Sequence, residues 1–323
     1  MTQVVVATHG HCFDGLCSAA LFTQLLQKLK PDAALAFRYH AMGYGPGENG
    51  VPEALLDGDE NAILDYRFST SEKLTWYFDH HVSAFPTDAE RSEFARRKVL
   101  QPPRAFHDGT YGSCTKLIVD VAKAEFGLTF EGMDKLIYWA DMIDRAAFPS
   151  AQMAVDRKEP VLQLMAVVES GGNADFITRM VPRLATSTIE EVAASEDVRA
   201  LYAPLAAEHD AYVRRVKAFA KENNGVVVVD LADEVSESAA KFVTYALYPD
   251  SGYSVTLTRS KSKCKISVGF NPWSNVVRKH NIAQICERYG GGGHPVVGAV
   301  STKADEVERA RAIAKEIATE LSA

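Results

Sequence analysis

The sequence predicts an α/β protein in two parts: a mostly parallel sheet with flanking helices, then a linking helix and a smaller strand-rich block. Three observations predict it. Short apolar runs alternate with amphipathic stretches over the first part of the chain, which is the pattern of βαβ units. A stretch rich in Ala, Glu, Lys, Arg and Leu, with few breakers, runs from about 189 to 221. The length, 323 residues, exceeds the roughly 250–300 that one hydrophobic core serves. The expected division is therefore 1–188, a connecting helix over 189–225, and 226–323.

Each element follows from its pattern. Val4–Ala7 is a short apolar run that reads as the first strand, and Leu16, Ala20, Leu21, Leu25 and Leu29 then recur at helical spacing. Ala62–Leu64 and Trp76–Phe78 read as further strands. After the Pro102-Pro103 break, Ser113 is placed to cap a helix through Leu117, Val121 and Phe126, and a second helical pattern covers Met133–Ala147. Asn223-Asn224-Gly225 ends the connecting helix. Val226–Val229, Tyr253–Thr258 and Lys265–Phe270 read as strands, and Ile282–Arg288 as a helix that runs into Gly290–Gly293.

Composition narrows the function. A net charge of −7 is wrong for a protein that holds long nucleic acid by blanket phosphate neutralisation, so no long-duplex binding is expected. A small anionic substrate in a local basic pocket fits that charge. No apolar run approaches the roughly 18–20 residues that span a bilayer, and the chain enters Val4-Val5-Val6 at once, so no membrane partner and a cytoplasmic location are expected. The five cysteines at 12, 17, 114, 264 and 286 contain no Cys-x-x-Cys pair, which points to reduced thiols and to neither a disulfide framework nor a thiolate zinc site.

The chemistry-bearing residues sit where strands should end. Trp76-Tyr77-Phe78 runs into Asp79-His80-His81, Val4–Ala7 into Thr8-His9-Gly10-His11-Cys12-Phe13-Asp14-Gly15, and Ala62–Leu64 into Asp65. Ligands of open α/β sheets bind outside the carboxyl ends of the strands, so three ends are expected to converge on imidazole and carboxylate. Asp141 and Asp144 form an i, i+3 pair that can add a fourth contribution. Carboxylates with imidazoles suit Mn²⁺ or Mg²⁺ better than structural zinc. With about five such ligands two ions are plausible, the arrangement that activates a water in phosphoryl transfer to water. Tyr289-Gly290-Gly291-Gly292-Gly293-His294 is the second feature: four glycines allow an anion-binding nest, with His294 adding a donor.

Taken together these motifs resemble the DHH phosphoesterase superfamily, in its branch with a C-terminal DHHA1 domain, over nearly the whole chain. Asp79-His80-His81 resembles the motif that names the family, His9–Gly15 its first motif, Asp65 its second, and Asp141 or Asp144 its fourth; Gly290–His294 resembles the Gly-Gly-Gly-His substrate motif of DHHA1. The resemblance implies an α/β DHH domain and a smaller DHHA1 domain with a mixed sheet. It implies that His9, Asp14, Asp65, His80 and an Asp of the fourth motif bind two manganese ions, with Mg²⁺ or Co²⁺ as substitutes. Asp79 supports them, and His81 faces the substrate phosphate. In the first motif Cys12 stands where the earlier acidic residue is expected. Either His11 replaces it, or Cys12 itself binds, or that site is weak; imidazole suits Mn²⁺ better than a thiol, which favours His11. Phe148 follows Asp144 by four residues as in many relatives, while Asp141 fits those with an Asp-x-x-Asp pair.

Around the substrate, Gly291, Gly292, Gly293, His294 and Arg259 are the expected contacts, with Lys261, Lys263 and Lys265 as a basic lip and Arg278, Lys279, His280, Arg67 and His107 as weaker candidates. Trp273 either stacks a base or packs in the core. The expected partner is a small phosphorylated nucleotide or short single-stranded oligonucleotide: a few-nucleotide RNA or DNA, a linear dinucleotide, or a bisphosphorylated nucleoside. A homodimer is compatible with the sequence. The alternatives are a pyrophosphate or short-polyphosphate hydrolase, and a nucleotide-binding sensor that has lost a metal ligand.

Overall fold

Residues 1–44, 50–236 and 240–323 are described by the computed structural model. In chain order they form β1 (Thr2–His9), α1 (Phe13–Leu29), β2 (Leu35–Met42), β3 (Glu60–Leu64), β4 (Trp76–Asp79), α2 (Asp88–Lys98), β5 (Ala105–His107), α3 (Cys114–Phe126), α4 (Asp134–Asp144), α5 (Ala151–Asp156), α6 (Pro160–Gly171), α7 (Ala174–Thr186), α8 (Ile189–Ala193) and α9 (Glu196–Phe219). The remainder forms β6 (Ala220–Asn223), β7 (Val226–Val235), α10 (Val243–Leu247), β8 (Tyr253–Arg259), β9 (Lys263–Phe270), α11 (Ile282–Glu287), β10 (Gly292–His294), β11 (Val297–Lys303) and α12 (Val307–Leu321). Two compact units result, one of Met1–Ala147 with Glu159–Tyr202, the other of Phe148–Lys158 with Ala203–Ala323.

The first unit is built on a parallel sheet of order β2-β1-β3-β4-β5. A parallel sheet covered on both faces needs strands that are apolar throughout, and Val4 to Ala7 of β1 and Ala62 to Leu64 of β3 are fully buried. The chain goes from β1 to β2 on one side and then crosses to β3 on the other, so the topological switch lies between β1 and β3. Ligands of open sheets bind at that crevice. In register, Thr8 of β1 pairs with Leu64 of β3, and Leu64 with Phe78 of β4. His9, Asp65 and Asp79 therefore leave three adjacent strands at one level. Gly15 lets α1 start close behind β1, since a Cβ there would lie 2.3 Å from the His9 carbonyl oxygen.

The second unit carries a mixed sheet of order β10-β11-β9-β8-β7-β6, in which β7 and β8 pair in parallel and the other neighbours antiparallel. Val255, Leu257, Ile266, Val268 and Val300 pack against Ile282 and Ile285 of α11 and Ile313, Ile317 and Leu321 of α12. Each such aliphatic side chain, taken from water, contributes about 1.5–3 kcal/mol. Val227 and Val229 pack with Tyr212 and Val216 of α9 and Val155 of α5.

Two expectations change at the junction. The breaker-poor stretch is two helices: Thr188 opens α8 with a reciprocal capping box to Glu191, and α9 begins again at Glu196. Asn224 and Gly225 do not merely end a helix. Both have positive φ, 48° and 77°, and so form the Asn-Gly turn of a hairpin between β6 and β7. The segment Phe148–Lys158 belongs to the second unit, where the Trp273 Nε1–H donates to the Phe148 carbonyl at 2.7 Å and the ring meets Phe242 edge-on. Trp273 is thus a packing residue of that unit. Among the described residues no helix is long and apolar enough to cross a membrane.

Candidate metal centre at the strand ends

Asp79 is fully buried and its carboxylate is used up by its own neighbourhood. Oδ1 accepts from the backbone N–H groups of His80 and His81, at 2.8 and 3.2 Å, and from His81 Nδ1 at 2.7 Å, while Oδ2 accepts from the Tyr77 hydroxyl at 3.0 Å. It folds the chain after β4 into a fixed turn and holds the His81 ring. That hydrogen bond, ahead of the cost of burial, moves the His81 pKa up. On the far side, His107 Nε2–H donates to the His81 carbonyl at 2.9 Å.

His80 is set by a different bond. Its Nδ1–H donates to the Tyr111 carbonyl at 3.2 Å, which leaves Nε2 with its lone pair. Nε2 is buried without a hydrogen-bond partner, yet Asp144 Oδ2, Asp65 Oδ1 and Asp14 Oδ2 stand 3.3, 3.4 and 3.8 Å away. Asp14 is held in place by the start of α3, whose Cys114 and Thr115 N–H groups donate to its two oxygens at 2.7 and 3.0 Å. Asp65 has φ +54°, an uncommon value outside glycine that tends to occur at functional sites. Both of its oxygens are buried without a hydrogen-bond partner, as is His9 Nδ1, 3.5 Å from Asp65 Oδ2.

Three overlapping groups of ligand-type atoms result, each within 4.8 Å: His9, Cys12 and Asp65; Asp65, His80 and His81; Asp14, His80 and Asp144. Asp65 joins the first two, and His80 the last two. The shortest of these spacings, 3.3, 3.4 and 3.5 Å, fall within the roughly 3–3.5 Å edge spanned by two ligands that each stand about 2.1 Å from one ion. Four buried polar atoms facing one another without hydrogen bonds are costly unless something satisfies them, and a divalent cation would do so. The charge balance agrees. Burial and the neighbouring Asp65 push Asp144 up to about 6, and burial with Asp65 and Asp144 likewise raises Asp14. Burial alone would lower the His80 pKa, but the carboxylates of Asp65, Asp14 and Asp144 around Nε2 outweigh it and move it up. Burial, then Asp65 and Asp14, pushes the Cys12 thiol up.

The structure thus brings together His9, Cys12, Asp14, Asp65, His80, His81 and Asp144. It does not bring His11 or Asp141 into those groups. His11 is exposed, with φ 55°, and its Nδ1 lies 3.3 Å from the Glu169 carbonyl. Asp141 accepts from Ser113 Oγ at 3.2 Å and from Arg145 Nη1 at 3.1 Å, so helix α4 turns its last residue, not its middle, toward the ligands. Tyr77, Tyr111 and the first turn of α3 hold Asp79, His80 and Asp14 in place, and no sequence motif marked them, because their contributions are a hydroxyl, a carbonyl and two backbone amides. Arg67 stacks over Tyr44, 5.3 Å from the ring centroid.

In the second unit the glycine run is part of a hairpin. The N–H groups of Gly290 and Gly291 donate to the Glu287 and Cys286 carbonyls at 3.0 and 2.9 Å and close α11, so they are not free for an anion, which corrects the expected four-glycine nest. Gly292, Gly293 and His294 form β10, and a Cβ on Gly293 would lie 2.2 Å from the Val297 carbonyl oxygen. His294 is exposed. Arg259 ends β8 with its Nε buried and without a hydrogen-bond partner. Arg278 Nη1 donates to the His280 and Pro295 carbonyls, which makes it a clasp of this unit.

In fold the chain is similar to a DHH-domain protein among solved structures (14% identity over 98% of this chain and 86% of that one, TM-score 0.50). Among solved structures, the chain is similar to a pGpG-specific phosphodiesterase, PggH, from Vibrio cholerae (17% identity over 98% of this chain and 99% of that one, TM-score 0.67). It is also similar to an exopolyphosphatase-related protein from Bacteroides fragilis (14%, 100% and 94%, TM-score 0.54). A further match is RecJ in complex with Mn²⁺ from Thermus thermophilus (13%, TM-score 0.53), covering 99% of this chain but 52% of that one, so the chain spans about half the length of that protein. No family model and no curated protein matches the sequence.

Proposed function

We propose that the protein is a metal-dependent phosphoesterase that hydrolyses short nucleotides, with linear dinucleotides, few-nucleotide oligonucleotides and bisphosphorylated nucleosides as its substrate range. The observation that carries this reading is the set of buried, unpartnered ligand atoms of His9, Asp65 and His80 at the ends of three adjacent strands. His9, Asp65, Asp14, His80 and Asp144 are the residues that would hold two Mn²⁺ ions. When bound, such ions lower the pKa of a water and stabilise charge on the phosphoryl oxygens. The protein's own part is positioning. Asp79 fixes His81 through Nδ1, so the other ring nitrogen is available to meet a phosphate oxygen; the Tyr111 carbonyl fixes His80; the α3 amides fix Asp14. The similarity in fold to a pGpG-specific phosphodiesterase supports a dinucleotide as the first substrate to test.

A second reading, hydrolysis of pyrophosphate or short polyphosphate, is supported by the similarity to an exopolyphosphatase-related protein. Product release from a labelled linear dinucleotide and from pyrophosphate, each with Mn²⁺, decides between them. Turnover of the dinucleotide alone is the expected outcome. Absence of turnover of either substrate with Mn²⁺ or Mg²⁺, together with no bound ion, refutes the enzyme and leaves the sensor.

A further inference from the structure

We propose that Cys12 is a ligand of one of the two ions, so that the centre holds a His9–Cys12–Asp65 site that takes thiolate-accepting ions such as Co²⁺ or Zn²⁺ in preference to Mg²⁺. The inference deepens the metal-centre reading and rests on it. The donor atoms of these three residues lie within 4.8 Å of one another. The second observation is independent of the cysteine: both oxygens of Asp65, 1% exposed, and His9 Nδ1 face the same place without hydrogen-bond partners.

Position explains how the thiol gets there. Cys12 is the N-cap of α1 in extended backbone (φ −123°, ψ 130°), between His9 at the end of β1 and the buried Asp14 in the first turn. His11, the other replacement for an acidic ligand, is turned outward toward the Glu169 carbonyl. The chemistry also favours sulfur. A thiolate supplies one negative charge, as an aspartate would, whereas a neutral imidazole supplies none. Thiolate is the softer donor and shifts preference from Mg²⁺ and Mn²⁺ toward Co²⁺, Zn²⁺ and Fe²⁺. Of the five cysteines, Cys12 is half-buried and the other four are buried.

The test is a titration of the full-length, metal-free protein with Co²⁺ under reducing conditions, followed by absorption spectroscopy. Expected is a near-ultraviolet sulfur-to-cobalt charge-transfer band in the natural protein, lost in Cys12→Ser and in Cys12→Asp. Cys12→Asp should keep the Co²⁺ stoichiometry of the natural protein and gain affinity for Mn²⁺ relative to Co²⁺. In the natural protein, which needs no substitution to fold, Co²⁺ should shield Cys12 from iodoacetamide as mapped by mass spectrometry. Two bound equivalents without a charge-transfer band, or a band that survives in Cys12→Ser, overturn the sulfur ligand while leaving the metal centre standing. Failure of the natural protein to bind Co²⁺ at all overturns both.

Discussion

Asp79 Oδ1 accepts a hydrogen bond from His81 Nδ1 at 2.7 Å while the same carboxylate receives the Tyr77 hydroxyl on its other oxygen. A buried carboxylate that holds an imidazole fixes both its tautomer and its direction. Asp79→Asn keeps the size but replaces an ionised acceptor with a neutral one, so His81 loses its charge-assisted partner. Turnover of the dinucleotide should fall on the order of 10- to 100-fold, with bound metal changed far less. Equal loss of metal and of turnover would mean that Asp79 supports the ions rather than His81.

Gly15 tests how tightly α1 must approach β1. An added Cβ would stand 2.3 Å from the His9 carbonyl oxygen and 3.1 Å from the His9 Cβ, while the Thr8 hydroxyl already donates to the Gly15 carbonyl at 2.7 Å. Backbone cannot yield as a flexible side chain does. Gly15→Ala should therefore cost about 1–3 kcal/mol in urea unfolding and should displace His9, weakening metal binding as well. A variant with natural stability and natural Mn²⁺ affinity would show that the approach is looser than these distances require.

Ion binding should itself stabilise the first unit, because the buried donors of His9, Asp65 and His80 have no hydrogen-bond partner without it. A ligand that binds the folded state alone adds about 2.7 kcal/mol at a hundred times its Kd. The melting temperature should accordingly rise with Mn²⁺ and fall back with EDTA. Asp65→Asn, which removes the charge shared by two of the ligand groups, should abolish most of that rise. An unchanged melting temperature for the natural protein at millimolar Mn²⁺ would contradict the centre.

Much of this arrangement was legible because strand ends announce themselves. Val4–Ala7, Ala62–Leu64 and Trp76–Phe78 are apolar runs that stop at His9, Asp65 and Asp79, and parallel pairing alone brings those ends side by side. What lay hidden depends on backbone direction. Nothing in the sequence tells that positive φ turns His11 outward, or that Gly290 and Gly291 spend their N–H groups on closing α11. The choice between Asp141 and Asp144 turned on Ser113 and Arg145, one of them 28 residues away, engaging the former. The Asn224-Gly225 hairpin was readable in principle from its dipeptide, but the preceding helical composition masked it.

At the opposite end of the first sheet from the ligands, Glu60 offers a pH test free of the metal. Burial alone would push its pKa up, but Lys30, Arg104 and the Trp76 Nε1–H, the last two at 3.2 and 2.9 Å, outweigh it and hold the carboxyl below its usual range. A depressed folded pKa means that the unfolded chain takes up the proton first as pH falls. The stabilisation is then fully present above the unfolded value, about 4.3, and is lost as pH falls through the lower folded value. Glu60→Gln should lose about 1.5–3 kcal/mol at neutral pH, and the gap from the natural protein should shrink in acid. Urea midpoints measured for both from neutral pH down to the onset of acid unfolding check it. A gap that stays constant over that interval would mean that Glu60 acts through shape and not through its charge.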